Sequence, residues 1–298
     1  MGKTSKKESK IHEAAKRVLE VLEEVEVAFN RELRYRLESE FPHDVVGHAI
    51  EKLRKEGKIK QYGVPGRKGA EDMPNVFYAL PGKDYRSLLP KAKEKLELAA
   101  VIHWISSSMG RYAEEVWFEA FRERGWEVYP STVESIGRVR EFKGREALKD
   151  TRVGIDFIVE KDGVAYGVEV KNRLPYPDDL FEKILVAVDL DLVPLIIARW
   201  LNPSQVRAIR ELGGFYVIYK TAIYSPTYKE IVDKAVKILG YPIECRERID
   251  DSYFEKKIVK EVHDKALKNL ETVKDRLKAF KEDVTRYREW RKRLSSPT

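Results

Sequence analysis

One cysteine, three methionines and five scattered histidines are all that 298 residues contain of the softer metal ligands. A lone Cys245 rules out an internal disulfide and a thiolate metal cage, and it points to a reducing compartment. His12, His43, His48, His103 and His263 show no ligand spacing. Any bound metal would therefore be held by carboxylate oxygens, which favours magnesium, manganese or calcium over zinc. No apolar run reaches the roughly 18 residues that a membrane span needs. The opening MGKTSKKESK lacks the apolar core of a secretory signal, and Lys6 stands where a myristoylation motif requires a hydroxyl residue. The expected setting is cytoplasmic, with no membrane and no small-molecule cofactor.

Charge is what the chain has in abundance. Charged residues make up 36% of it, against the usual quarter, with a net charge of +7 and a pI near 9.1. Such richness with one cysteine is typical of heat-adapted intracellular proteins, and the basic balance is compatible with a nucleic-acid partner. The 43% hydrophobic content and the length suit two domains and an appendage.

Residues 11–80 read as three short helices and a hairpin. IHEAAKRVLEVLEEV is the first helix, and Asn30 is the N-cap expected for the second, RELRYRLESEF. HDVVGHAIEKLRKEGK is the third, stopping at Gly57 behind basic residues. Strands KIKQYGV and NVFYALP follow, joined by the glycine-rich basic loop PGRKGAEDM. This succession resembles a winged helix-turn-helix domain over 1–88. The resemblance implies DNA contact through His48, Lys52 and Lys55 on the third helix and through Arg67 and Lys68 on the wing. Protein binding is the alternative use of such a module.

Pro81 and Pro90 bracket an expected linker, and a connecting helix is expected within 89–109. From Gly110 to about 245 the pattern alternates: helix 111–123, strand 126–129, a charged loop, strands 153–160 and 164–171. A helix from about Asp178, strand VPLIIAR, a helix from about Pro203 and strand FYVIYK complete it. That order predicts an α/β domain with a mixed sheet flanked by helices. Residues 246–298 are expected to form a helical extension, read as one long helix. Its stripe of Leu270, Val273, Leu277, Phe280, Val284 and Tyr287 could pair two subunits as a homodimer or dock back on its own chain.

The chemistry concentrates in VGIDFIVEKDGVAYGVEVKNR, residues 153–173. Asp162-Gly163 is a strong two-residue hairpin signal. With that turn, Lys161 faces Val164, Val159 faces Tyr166, Phe157 faces Val168 and Ile155 faces Val170. The same register sets Asp156 opposite Glu169, with β-carbons about 5 Å apart. Lys171 shares their face, with Gly154 across from it and open space beside the lysine. Two carboxylates so close repel unless something positive lies between them, and a hard cation would satisfy both. A solvated hairpin face would not explain a like-charge pair in matched register.

Ile155-Asp156 followed by Glu169-Val170-Lys171 resembles the PD-(D/E)xK nuclease superfamily, with isoleucine in the place of the usual proline. The helix GRYAEEVWFEAFRERGWEV is similar to the opening helix of its archaeal Holliday-junction resolvase branch, which sets a glutamate four residues after a glycine, here Glu114 after Gly110. The 131–150 segment is longer than that branch usually shows. The resemblance implies a restriction-endonuclease-like domain that hydrolyses DNA with Mg²⁺ or Mn²⁺. Asp156, Glu169 and the Val170 carbonyl would hold the metal, Lys171 and Glu114 would be catalytic, and Arg173 would contact DNA. Arg138, Arg140, Lys143, Arg145, Lys149 and Arg152 are further phosphate candidates. The alternatives are a catalytically silent DNA-binding or transcription-associated protein on the same fold, and an RNA-cleaving enzyme.

Overall fold

The computed structural model describes residues 2–64, 76–147 and 153–295. The expected wing residues Arg67 and Lys68, and the loop charges Lys149 and Arg152, lie outside the described residues. The chain divides into two compact units. One comprises 1–107 with 227–245, and the other 108–226 with 246–298. The expected boundary at 245 falls where the second segment of the first unit ends, and the one at 109 lies two residues from the 107/108 division, whereas no division falls at 88. Residues 227–245, read as part of the second domain, group with the first unit.

In the first unit α1 (Gly2–Val25), α2 (Asn30–Arg36) and α3 (His43–Lys55) precede a hairpin of β1 (Lys60–Gly63) and β2 (Val76–Ala79), and α7 (Lys229–Leu239) lies in its second segment. The apolar positions of α1 recur at helical spacing, and Ala14, Val18, Val21 and Leu22 are buried in one cluster with Val46, Ala49, Ile50 and Leu53 of α3. β1 and β2 pair antiparallel from Lys60↔Ala79 to Gly63↔Val76, and a bridge between Ala28 and Tyr78 adds a third short piece. The cap of α2 is Phe29, one residue before the expected Asn30. Glu32 decides this by reaching back to accept the Phe29 N–H at 3.4 Å.

Helix α4 (Tyr85–Arg122) replaces the expected linker, connecting helix and second-domain helix with one 38-residue element. Pro90 lies within it, and Gly110 does not interrupt it. A mid-helix glycine costs about 1 kcal/mol. Ile102, Ile105, Met109, Ala113 and Val116 keep an unbroken buried stripe across it, and that burial outweighs the cost.

The second unit is built on a five-stranded mixed sheet. Its strands are β3 (Glu127–Tyr129), β6 (Phe157–Lys161), β7 (Val164–Lys171), β8 (Val193–Ala198) and β9 (Phe215–Ile218), adjacent in that order. β3, β6 and β7 are antiparallel neighbours, whereas β7, β8 and β9 run parallel. The parallel steps cross over through α5 (Pro177–Asp189) and α6 (Pro203–Glu211). A two-residue hairpin, β4 (Glu141–Phe142) and β5 (Arg145–Glu146), stands in the 131–150 segment.

Alternation along the strands sorts the two faces of the sheet. Phe157, Tyr166, Val168, Val170, Leu195 and Ile197 pack with Trp117, Phe118 and Phe121 of α4. Ile158 packs with Val186 and Ala187 of α5 on the other face, as Ile196 and Ala198 do with Ile184 and Ile209. The Asp162-Gly163 turn has positive φ at both residues, 49° and 74°, as a type I′ turn requires. Among the described residues no helix is long and apolar enough to cross a membrane.

The C-terminal segment is not one helix. A short α8 (Asp251–Phe254) leads into a π-helical stretch, Glu255–His263, then α9 (Asp264–Lys268), and α10 (Leu270–Ser295) follows a break at Asn269. Part of the stripe docks on its own chain, one of the two arrangements expected. Val273 joins the α4-side core, Leu277 and Phe280 pack on the α5–α6 side, and Lys281 and Arg288 pair with Asp191 at 2.6 Å and Asp189 at 3.0 Å. Tyr287 is left 56% exposed.

A buried charge cluster ties the first unit together. Lys95 donates to the Val27 carbonyl at 2.6 Å and to Glu32 at 2.7 Å, and Arg36 adds a third bond to Glu32 at 3.1 Å. Burial pushes the fully buried Glu32 carboxyl up, against the pull of Lys95 and Arg36, and it pushes the Lys95 ammonium down. Removing one partner strands the other charge. Lys95→Met should therefore lower unfolding stability by about 3 kcal/mol, and Glu32→Gln added to it should restore much of the loss. Urea titration of the three variants checks this, and a neutral Lys95→Met would contradict it.

Candidate active site

Four elements converge at the open end of β6 and β7. Asp156 is the residue just before β6, Glu169 and Lys171 lie on β7, Glu114 is on α4 and Lys183 on α5. The β6–β7 ladder follows the expected register as far as Phe157↔Val168. There it stops. Asp156 donates its N–H to the Val168 carbonyl at 3.1 Å, and its side-chain Oδ2 accepts the Val170 N–H at 2.7 Å. The carboxylate thus takes the place of a backbone acceptor.

Two expected pairings are therefore corrected. Ile155 does not face Val170, and Asp156 does not sit in ladder register with Glu169. Ile155 instead bridges Val139 through reciprocal bonds of 3.0 and 3.1 Å, and Gly137 donates to the Asp156 carbonyl at 2.8 Å. Its side chain packs on the α5 side, with Val186 and Leu192. The open space expected at Gly154 is filled by backbone. A β-carbon there would come within 2.6 Å of the Arg138 carbonyl carbon and 2.8 Å of the Val139 nitrogen. Only glycine permits that approach, and the 131–150 segment uses it to draw the chain away from β7.

The chemical consequence survives the altered register. Asp156 is 3% exposed and Glu169 is fully buried. Lys171 makes a close ion pair with Glu169 Oε1, and Lys183 lies 3.2 Å from Oε2 while also donating to the Gly154 carbonyl. Neither Glu169 oxygen has a hydrogen bond of ordinary geometry; the two ammonium groups at ion-pair distance are its compensation. Glu114 stands at the edge, 3.5 Å from Arg111.

Burial, then the charges of Glu169 and Glu114, push the Asp156 carboxyl well above the usual range, with Lys171 and Lys183 opposing. Burial and Glu169 likewise push Glu114 up. For Lys171 burial works against the charge, but Glu169 and Asp156 together outweigh it and its pKa rises.

Lys183 is a member that the sequence reading missed. It falls between Leu180 and Ala187 on the buried stripe of α5, and a charge interrupting an apolar stripe was the available signal. Asn172 was missed too. Its amide donates to the Met109 and Ile223 carbonyls at 2.9 and 2.7 Å and accepts from the Ile223 N–H at 2.7 Å, anchoring the chain just beyond Lys171.

His48 and Lys55 are exposed on α3 and Lys52 is half-buried. Lys52 and Lys55 lie 3.9 and 3.5 Å from Glu56 and Glu51. Arg173 is exposed, with its guanidinium 5.2 Å from the centroid of the Tyr176 ring.

The donor set is all oxygen, which suits a hard divalent cation. Among the described residues no group of three or more His, Cys, Asp or Glu forms a ready-made cage. The expected set of Asp156, Glu169 and the Val170 carbonyl is smaller than that. Its fit rests on the buried, poorly hydrogen-bonded oxygens of Glu169 beside a carboxylate that is costly to ionise.

Ionising Asp156 in the folded chain is unfavourable, so the folded state binds more protons than the unfolded one. Stability is lost as pH rises from the ordinary carboxylate range through the raised folded value. In EDTA at neutral pH, Asp156→Asn should therefore stabilise the chain by roughly 1–3 kcal/mol, a gain that vanishes near pH 4. Thermal unfolding at the two pH values measures it, and a destabilised variant at neutral pH would refute the repulsion. No family model, curated protein or solved structure matches the chain, and what the centre does is read from its own residues.

Proposed function

We propose that the chain is a divalent-metal-dependent DNA endonuclease. The observation that carries this reading is the meeting of Asp156, Glu169, Glu114, Lys171 and Lys183 from four separate elements, with Glu169 fully buried. A structural charge cluster needs balanced partners, whereas here burial, and after it the neighbouring carboxylate charges, drive Asp156 and Glu114 toward the neutral state.

Asp156, one oxygen of Glu169 and the Val170 carbonyl would hold Mg²⁺ or Mn²⁺. A cation bound there would supply Lewis acidity toward the scissile phosphate and a coordinated water. Lys171 orients the attacking water and offsets phosphate charge, its ammonium kept protonated by Glu169 and Asp156. Lys183 holds Glu169 from the α5 side and ties it to the Gly154 carbonyl, setting the carboxylate's orientation. Glu114, raised in pKa and less buried, assists at the edge.

The first unit is a winged-helix DNA grip in this reading. Three helices, an antiparallel hairpin and the bridge at Ala28 support it, as do the outward His48 and Lys55 of α3.

A cleavage panel of single-stranded, duplex, flapped and four-way DNA in Mg²⁺ or Mn²⁺ tests the proposal. Cutting of at least one substrate is expected, and Asp156→Ala and Lys171→Ala should each reduce it by about 100-fold or more. Equal activity in all three proteins would remove the site. No cleavage of any substrate would favour a silent DNA-binding protein.

A further inference from the structure

Beside the acidic centre lies an open groove of about 600 Å³, formed by Tyr129, Pro130 and residues of the 131–150 segment. The two are joined by one stretch of chain. Gly137 bonds the Asp156 carbonyl, a β-carbon on Gly137 would stand 3.9 Å from Asp156 Oδ1, and the Arg138–Val139 backbone presses on Gly154. The wall of the groove is thus also a wall of the centre.

The lining combines aromatic and basic groups. Tyr129 and Phe142 meet edge to face with centroids 5.3 Å apart, and the Tyr129 hydroxyl bonds Glu127 at 3.2 Å. The Tyr129 ring is held at both ends yet is 37% exposed. Arg138, Arg140 and Lys143 line the same groove, against two carboxylates, Glu134 and Glu141. Lys143 is paired with Glu160 at 2.7 Å, and Arg140 reaches the Val153 and Ala147 carbonyls. Arg138 is exposed and, among the described residues, makes no ion pair.

A fixed, part-exposed ring with a free guanidinium beside it suits a nucleotide whose base has left its stack. The ring supplies a stacking surface and the arginine a phosphate contact. Duplex DNA offers the arginine its phosphates but not the ring a base face, because both faces are already covered by neighbours. From this we infer that the groove holds an unpaired stretch of DNA leading into the centre, so that the substrate class is DNA with a single-stranded or frayed segment. The inference rests on the nuclease reading for its second half, the strand's route to the centre.

Binding of the full chain in EDTA tests the groove apart from catalysis. The probes are a fluorescent oligodeoxythymidine of about 20 nucleotides, an oligouridine of that length and a blunt duplex of matching length. Tyr129→Ala and Arg138→Ala should each weaken oligodeoxythymidine binding roughly 10-fold, while Tyr129→Phe binds as wild type and Tyr129→Ala moves duplex affinity by less than about twofold. An equal loss on the duplex in Tyr129→Ala, unchanged single-strand affinity in both alanine variants, or no single-strand binding by wild type would overturn the inference. Oligouridine bound as tightly as the DNA strand would overturn its restriction to DNA. The two readings fail separately. Cleavage that depends on Asp156 with groove variants binding normally removes the groove alone. Lost binding in those variants with no substrate cut removes the nuclease alone.

Discussion

Burying a carboxylate makes it costly to charge, and a second carboxylate beside it adds to the cost. Asp156 and Glu169 are buried in that position, with the part-buried Glu114 at their edge. Lys171 answers from the same strand as Glu169 and Lys183 from the helix that follows it. The balance is incomplete, since Asp156 and Glu114 are both driven toward their neutral forms. A folded chain that keeps such an arrangement gives up stability at neutral pH.

The first unit contains the useful contrast. Glu32 is as deeply buried as Glu169, but it has hydrogen bonds from Lys95, Arg36 and the Phe29 N–H. Its lone pairs are occupied and its job is to join α2 to the first part of α4. Glu169 has two ammonium groups nearby but no hydrogen bond of ordinary geometry to either oxygen. Equal burial with unequal satisfaction separates a structural charge cluster from a candidate reactive one.

How the centre is closed depends on two glycines. Gly154 admits the Arg138–Val139 backbone at a distance no β-carbon would allow, and Gly137, at φ 87°, bonds the Asp156 carbonyl. Because of them Asp156 leaves the ladder one residue earlier than simple strand pairing would have it. Its side chain then becomes the acceptor for Val170. The segment that brings this about also forms the aromatic and basic groove, so centre and groove share one wall.

Periodicity and turn chemistry act over a few residues, and at that range the sequence determined a good deal. Alternation along 157–168 and the Asp162-Gly163 turn set the hairpin register, the glycine at 57 ended α3, and the order of strands and helices implied the mixed sheet. Asp156, Glu169 and Lys171 were legible as a group through strand alternation and the turn, and Glu114 only through the family resemblance of its helix. Tertiary structure decided what depends on distant segments. It ran α4 through Pro90 and Gly110, because a continuous buried stripe outweighs two poor helix formers. It folded part of the α10 stripe back onto its own chain, an outcome that spacing left open. It also pulled Asp156 out of register through contacts with residues 137–139, and it brought Lys183 to Glu169 across the sheet–helix interface. Local pattern specifies which face a side chain takes within its element, whereas only packing between elements specifies which charges must share one space.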